Sequence, residues 1–342
     1  MRQPPGFLFV DVNKRCNFKC QHCEYWKNDD SDKDNYISIE RRNEIIAEFA
    51  EMAQTNGTVV ICGGESMLDR KEYFAIAKQC MKHGLKCFSV VNGSNVKSEK
   101  MADRMILEGP TEITVSLNSH LEEVQDRTRG IPGSFKMAVN ALRLLLASRN
   151  RLASSKKIYA MAVMCEQNYR TLDQFYNFVL KDIQADKLKL NFLQPTFGPQ
   201  DPVFVDNFFA ENIIRDYDEL GAILNKCNKK YELNLNPAWI EVVLMYHRSV
   251  NKNSDALRGW SGGKGTEQHI CNTYERNIMV NLYGQARLCF SPVSPPYNLS
   301  KPGDLKYFWE NSDFIREGLQ NCNAYCGMSH SVRKENATLK ST

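Results

Sequence analysis

Six times between residues 7 and 194, a short apolar run is followed by a longer amphipathic stretch. FLFVDV (7–12), TVVIC (58–62), LKCFSVV (85–91), TEITVSL (111–117), KIYAMAVM (157–164) and KLKLNFLQ (187–194) are rich in Val, Ile, Leu and Phe and read as strands buried on both faces. Residues 40–55, 70–83, 97–108, 134–149 and 170–182 place apolar side chains at helical period. Ser38-Ile39-Glu40-Arg41 and Ser134 before Phe135 supply helix starts. Such alternation obliges a parallel sheet with right-handed crossovers. Six units fall short of the eight that close a barrel. The expected fold is therefore α/β, a partial (βα)6 TIM-like barrel, with its site at the carboxyl ends of the strands.

After Gln194 the alternation stops. PTFGPQDPVFVDNFF (195–209) is a Pro/Gly/Phe loop, helical patterns follow near 210–229 and 237–249, and residues 251–268 are polar with Gly259, Gly262, Gly263 and Gly265. The segment NIMVNLYGQARLCF reads as a hairpin. The expected organisation is a core of 1–210, a helical connection with a Gly-rich loop of 211–268, a small C-terminal domain of 269–330 and a polar tail of 331–342. No internal repeat or low-complexity tract interrupts it.

With 44 Lys and Arg against 40 Asp and Glu, the 342-residue chain carries a formal charge of +4, too balanced to mark a nucleic-acid or anionic-membrane surface. Apolar content of 42% and charged content of 25% exclude disordered, collagen-like and coiled-coil classes. No apolar run approaches the roughly 20 residues that span a bilayer, and MRQPPGFLFVDVNKR lacks the form of a signal peptide. The expected location is cytoplasmic. In that reducing compartment the 12 cysteines stay free or bind metal rather than pairing.

Their distribution names two metal sites. Cys16, Cys20 and Cys23 form C-x3-C-x2-C directly after the first strand, where the fold expects its site. Three thiolates on one short loop suit a [4Fe–4S] cube with one open iron, whereas closed clusters use four. The alternatives are zinc, with His22 as an awkward fourth ligand, and unligated core thiols.

Arg15-Cys16-Asn17-Phe18-Lys19-Cys20-Gln21-His22-Cys23 resembles the signature loop of the radical S-adenosylmethionine (SAM) superfamily, and further motifs follow in that family's order. Cys62-Gly63-Gly64-Glu65 resembles its GGE motif, whose glycines approach the methionine amino group while the Glu pairs with it. Val91-Asn92-Gly93 stands where the family has T-N-G. Ser116-Leu117-Asn118-Ser119 resembles the ribose-contacting S-x-D-G. Arg129, before Gly130, falls where the family has an Arg gripping the SAM carboxylate, and His22 where the backbone touches adenine. Ser66, Asn118 and Ser119 depart from the usual Pro and Asp-Gly. The resemblance implies SAM, a cluster on the three cysteines, and an electron donor of flavodoxin or ferredoxin type.

The second set opens as C-x12-G-x4-C, from Cys271 through Gly284 to Cys289, and adds Cys322 and Cys326 at C-x3-C spacing. It resembles the start of the SPASM and twitch extensions. Four cysteines are enough for one auxiliary [4Fe–4S] cluster, which makes this the shorter, twitch-like form. A structural zinc site with four thiolate ligands has the same ligand geometry.

Cys165 ends the fifth strand, as a hydrogen-atom donor to a substrate radical or as a small core residue. Glu166, Gln167, Asn168, Gln194 and Phe197 fall at strand ends near the expected substrate volume. Arg258 and Trp260 lie in the Gly-rich loop as lid candidates. The resemblance implies an oxidoreductase or epimerase that takes hydrogen from a small polar substrate, a sugar, aminocyclitol or similar molecule. In that case the auxiliary cluster is an electron relay, as in the twitch-bearing alcohol dehydrogenases of aminoglycoside assembly. A peptide maturase is the second reading, and a non-catalytic zinc protein the third.

Overall fold

The computed structural model describes residues 2–53, 57–194, 208–252, 269–271, 273–290, 294–320 and 331–333. Strand and helix alternate as β1 (Phe7–Asp11), α1 (Ile39–Ala53), β2 (Thr58–Cys62), α2 (Arg70–Lys82), β3 (Lys86–Val91), α3 (Glu99–Glu108) and β4 (Glu112–Ser116). Then come α4 (Glu122–Arg129), α5 (Ser134–Arg151), β5 (Lys157–Met164), α6 (Leu172–Asn177) and β6 (Lys187–Phe192). The six strands pair in sequence order and all are parallel. This is the expected α/β partial barrel.

The helices form where apolar spacing gives each a face to bury. On α1, Ile45, Ile46, Phe49 and Ala53 are buried, and burying each larger side chain contributes roughly 1.5–3 kcal/mol. Ser38 Oγ accepts the backbone N–H of Arg41 at 3.1 Å, satisfying one donor of the first turn. Ser98 does the same for Met101, which moves the start of α3 to residue 99 from the expected 97. Helix α4 was not expected at all. Its eight residues are mostly polar, and only Val124, Gln125, Thr128 and Arg129 are buried, so its apolar periodicity is faint.

Along each strand, side chains alternate between the two faces of the sheet. On β1, Leu8 and Val10 belong to the buried core beneath the helices, while Phe7, Phe9 and Asp11 lie on the other face, toward the barrel interior. That leaves the outer edge of β1 needing a partner, because an open barrel exposes unpaired backbone groups.

The partner is the C-terminal unit. Strand β7 (His269–Cys271) precedes β8 (Asn277–Val280), β9 (Gln285–Arg287) and β10 (Tyr297–Asn298). Strand β8 pairs in parallel with β1, from Phe7↔Asn277 to Val10↔Val280, and β9 returns antiparallel. The hairpin expected within 277–290 is therefore built into the barrel sheet, giving nine strands in the order β10-β9-β8-β1-β2-β3-β4-β5-β6. Its turn is held by Asn281, whose Oδ1 accepts from Tyr283 N at 3.0 Å and Gln285 N at 2.9 Å. The turn lies at the carboxyl end of β1, so the return strand carries Cys289 back toward the amino end.

Helices α7 (Tyr217–Lys230), α8 (Pro237–Lys252), α9 (Asp304–Glu310) and α10 (Asp313–Gln320) complete the described chain. The tail expected from residue 331 begins instead with β11 (Ser331–Arg333), which pairs antiparallel with β7, Ser331 opposite Cys271. One continuous buried core runs from the barrel through Ile278, Val280, Leu305, Phe308 and Leu319. No helix among the described residues is long and apolar enough to cross a membrane.

Candidate active site

The loop from residue 12 to 38 leaves the carboxyl end of β1 and carries Cys16, Cys20 and Cys23. Two neighbours fix its backbone. Gly64 N donates to Asn13 O at 3.2 Å and Glu65 N to Arg15 O at 2.9 Å, while Gln21 N donates to Thr128 O at 3.1 Å. A Cβ at Gly64 would sit 2.0 Å from Arg15 O, and a Cβ at Gly130 (φ +64°) would sit 2.0 Å from Lys19 O. Both approaches require glycine. The GGE segment, with Gly63 beside Asn13, and the end of α4 are thereby pressed against the cysteine loop from two sides.

Charged groups on the outside brace the same loop. Arg15 bridges Asp30 at 3.0 Å and Asp69 at 3.2 Å, and Lys33 meets Asp69 at 2.9 Å. Lys14 pairs with Asp32 at 2.6 Å, and Asp32 also accepts from the hydroxyl of Tyr283 in the β8–β9 turn. The C-terminal hairpin is thus tied to the cysteine loop.

Glu65 is 2% exposed. Its Oε2 accepts from Asn92 N at 2.7 Å and its Oε1 from Met67 N at 3.1 Å. Burial nevertheless pushes its carboxyl up to about 7, against those bonds and the charge of Arg129. Asn92 also donates through Nδ2 to Asn17 Oδ1 at 2.9 Å. Arg129 ends α4, 8% exposed, with its guanidinium 5.7 Å from the ring centroid of Phe18. Its buried Nε meets no acceptor among the described residues.

Arg129 is the electrostatic neighbour of Cys16, Cys23, His22 and Glu65 alike. Burial raises the Cys16 thiol to about 12 and the Cys23 thiol to about 11. Burial and Arg129 together lower His22 to about 3, so its imidazole is neutral. Each of Cys16 and Cys23 has Cys20 as an electrostatic neighbour. Among the described residues, no three His, Cys, Asp or Glu side chains converge as metal ligands do. As a donor set the loop suits iron: soft thiolates take up clustered iron, losing their protons on binding. A buried cation with an unpaired donor beside a buried carboxylate suits a zwitterionic amino acid such as the methionine part of SAM.

Ser116 ends β4 on the interior side, 9% exposed. Asn118 is turned into the protein. Its Oδ1 accepts Val163 N at 3.0 Å, and its Nδ2 donates to Thr128 Oγ1 at 3.1 Å. Asn168, expected at the substrate volume, donates instead to the carbonyls of Asn118 and Val163 at 3.0 and 2.9 Å and accepts Cys165 N. Glu166 pairs with Arg170 at 2.6 Å. Cys165 is 4% exposed within the core, its thiol raised by burial to about 11. Cys271 stands on β7, and Cys289 packs against the core. Phe197, Arg258, Trp260, Cys322 and Cys326 lie outside the described residues.

Two contributors were missed in the sequence. Asn13 Nδ2 donates to Glu65 O and to Asp69 Oδ2, both at 2.9 Å, and nothing in the pattern singled it out. Asp11 lies on the interior face at the end of β1, paired in register with Cys62. Burial raises its carboxyl to about 7, with Arg42 opposing. An acidic residue closing an apolar run was the available signal.

The family model that describes the Radical SAM superfamily matches residues 10–179, which contain the three-cysteine loop, Glu65 and Arg129. The chain belongs to the radical SAM superfamily. It is a radical SAM enzyme, and the family's chemistry implies a [4Fe–4S] cluster and SAM. The chain is similar to the Fe-coproporphyrin III synthase of Methanosarcina barkeri (strain Fusaro / DSM 804), 29% identical over 132 residues, which cover 39% of this chain and 32% of that protein. It is similar also to the AdoMet-dependent heme synthase of Oleidesulfovibrio alaskensis, 23% identical over 138 residues, 40% of this chain and 34% of that one. The matches span about a third of either relative. Among solved structures, Streptococcus suis SuiB bound to S-adenosylmethionine superposes with a TM-score of 0.64 at 14% identity, over 96% of this chain and 74% of that one. anSMEcpe with bound AdoMet gives 0.59 at 15%, over 92% and 84%. These two likenesses extend the fold match beyond the barrel into the C-terminal unit.

Proposed function

We propose that this radical SAM enzyme holds its catalytic cluster on Cys16, Cys20 and Cys23 and SAM between Glu65 and Arg129. Its substrate is a small polar molecule, a sugar, aminocyclitol or similar compound, and the outcome is oxidation or epimerisation. The carrying observation is the position of Arg129, a buried cation with an unpaired Nε that neighbours two of the three thiols, His22 and Glu65. Bound there, the cluster and SAM would supply radical chemistry that removes hydrogen from a substrate carbon. Glu65 receives the methionine ammonium, Arg129 its carboxylate, and Ser116 the ribose. Asn118 holds β4 against β5 and α4, so that Ser116 and Arg129 keep their places.

The substrate enters at the carboxyl ends of the strands. Asp11, Cys62 and Ser116 offer polar groups there, with Phe9, Val90, Met161 and Val163 on the same interior faces. That mixture suits a small polar ring held by a few hydrogen bonds. Cys271, Cys289, Cys322 and Cys326 are the proposed ligands of a twitch-like auxiliary [4Fe–4S] cluster that relays an electron. The pairing of β7 with β11 supports this set, since Ser331 opposite Cys271 follows Cys326 by only a few residues. Reduced flavodoxin or ferredoxin is the proposed donor. A second reading, peptide modification, draws on the SuiB fold, which has also been solved with the precursor peptide SuiA.

The test is iron, sulfide and 5′-deoxyadenosine after anaerobic reconstitution, in wild type and in the Cys16→Ala/Cys20→Ala/Cys23→Ala variant. About eight irons falling to about four, with SAM cleavage abolished, is the expected result for two cubes. About four irons with bound zinc in wild type removes the auxiliary relay. Stimulation of cleavage by a peptide and not by sugars or aminocyclitols replaces the substrate class.

A further inference from the structure

Two carboxylates, Glu65 and Asp11, stand at the carboxyl ends of neighbouring strands, and the protein treats them differently. Glu65 accepts the backbone N–H groups of Asn92 and Met67. Asp11 is half-buried on the interior face at the end of β1, in register with Cys62. Its carboxylate has neither a hydrogen bond nor an ion pair among the described residues.

The cation whose charge reaches Asp11 is Arg42, which is 2% exposed and committed to Glu72. Other cations around the site are engaged as well. On the cysteine loop Lys14 pairs with Asp32, and Arg15 with Asp30 and Asp69. Inside the barrel Lys189 pairs with Glu112 at 3.3 Å. A carboxylate held away from water without a counter-charge of its own is costly.

The position of Asp11 gives that deficit a use. Strand β1 runs directly into the cysteine loop, and Asp11 precedes Cys16 by five residues. Tyr25, two residues past Cys23, has Asp11, Cys62 and Cys23 as electrostatic neighbours, so the loop closes over the carboxylate. Asp11 thus stands between the sheet interior and the three cysteines, where a substrate has to lie to reach the cofactor site. Phe9, Val90 and Met161 give the same interior face apolar walls, and Ser116 adds a hydroxyl. Neutral hydroxyls can donate to a carboxylate in such a chamber but leave its charge unbalanced, whereas an ammonium balances it.

We propose that Asp11 anchors a primary ammonium group of the substrate, which makes the substrate an amino sugar or aminocyclitol rather than a neutral polyol. This deepens the small-polar-substrate reading and rests on it. Asp11 binds and orients the substrate and sets its specificity.

The experiment uses the reconstituted enzyme with SAM and no reductant, so that nothing turns over. Calorimetry compares two matched pairs of probes, glucosamine with glucose and scyllo-inosamine with scyllo-inositol, on wild type, Asp11→Asn and Asp11→Glu. Wild type should bind the amine of each bound pair about tenfold or more tighter than its hydroxyl counterpart. Asp11→Asn should bring the two members together at unchanged iron content and SAM affinity, and Asp11→Glu should keep part of the preference.

Equal binding of amine and hydroxyl probes by wild type overturns the proposal, and so does a preference that survives in Asp11→Asn. Loss of iron or SAM binding in Asp11→Asn also overturns it, because the carboxylate then braces the cysteine loop. If neither member of either pair binds to wild type, the small-polar-substrate reading itself fails and the proposal falls with it, an outcome distinct from the others.

Discussion

The backbone N–H of Asn92 reaches from the end of β3 to Glu65 Oε2 at 2.7 Å, so the GGE carboxylate is aimed by the neighbouring strand. Its carboxyl is nonetheless raised to about 7, because burial outweighs the bonds it accepts. If Glu65 pairs with the SAM ammonium, binding requires its ionised form and strengthens as pH rises through 7. One pH unit below that value about a tenth of the carboxyl is ionised, so SAM affinity should be roughly tenfold weaker at pH 6 than at pH 8. Calorimetry on the reconstituted enzyme reads this directly, and Glu65→Gln should bind weakly and lose the pH dependence. A flat profile in wild type would remove Glu65 from the ammonium site.

Gly130 is where the end of α4 touches the cysteine loop. Alanine there would force a positive φ on a side-chain-bearing residue and drive its Cβ to 2.0 Å from Lys19 O. The clash is with backbone, so relief requires the loop to move. Gly130→Ala should destabilise by about 2 kcal/mol or more. It should also lower iron uptake at Cys16, Cys20 and Cys23 while the C-terminal set still loads. Normal loading with normal SAM cleavage would mean that the loop is placed by other contacts.

Much of this was legible in the sequence because the signals were local and repeated. The strands at 58–62 and 157–164 fall where their apolar runs fall, since β-branched and aromatic runs between helical stretches have few other uses. The order of Cys16, Glu65 and Arg129 carried the family. What stayed hidden was long-range. Nothing local in TEITVSLNS tells that Asn118 spends its amide on Val163 and Thr128, nor that β8 would continue the barrel sheet beyond β1. Helix α4 was missed because three of its four buried side chains, Gln125, Thr128 and Arg129, are polar and leave almost no apolar stripe to read.

Asn118 joins three elements, with its amide between β4, β5 and Thr128 of α4. Asn118→Ala leaves Val163 N–H and the Thr128 hydroxyl without these partners inside a buried site. Each unsatisfied buried group costs about 1–3 kcal/mol, so unfolding should show a loss of roughly 2–4 kcal/mol. Asn118→Asp keeps the acceptor for Val163 and loses the donor to Thr128, and should fall between. If SAM affinity drops far more than stability does, Asn118 contacts the nucleoside and its role here is misassigned.

Cys165 sits 4% exposed among core side chains, with Asn168 Oδ1 accepting its backbone N–H at 2.9 Å. A thiol that donates a hydrogen atom has to meet the substrate, and this one is buried among core side chains and kept protonated by that burial. Cys165→Ala should therefore leave turnover and product unchanged and cost about 1 kcal/mol of packing. A product switch in that variant, with deuterium from solvent no longer entering the product, would restore the thiol as donor and favour epimerisation.

Asp11 gives a pH test of the barrel interior. Its folded-state carboxyl titrates at about 7 against an ordinary value of 3.8, chiefly through burial. A carboxyl raised on folding binds its proton more tightly in the native state, so this contribution is fully present below about pH 4 and is lost as pH rises toward 7. Asp11→Asn removes the ionisable group while keeping the shape. The substrate-free variant should melt a few degrees above wild type at pH 8, and the difference should shrink as pH falls through 7. Above about pH 8 the gap should stop growing, since both states of the wild type are then ionised. Differential scanning fluorimetry from pH 5 to pH 9 checks each part. A gap that widens toward acid pH would mean that Asp11 is held ionised by Arg42, which is 2% exposed but already committed to Glu72. In that case Asp11 braces α1, and the polar group awaiting the substrate has to be sought at Cys62 or Ser116 instead.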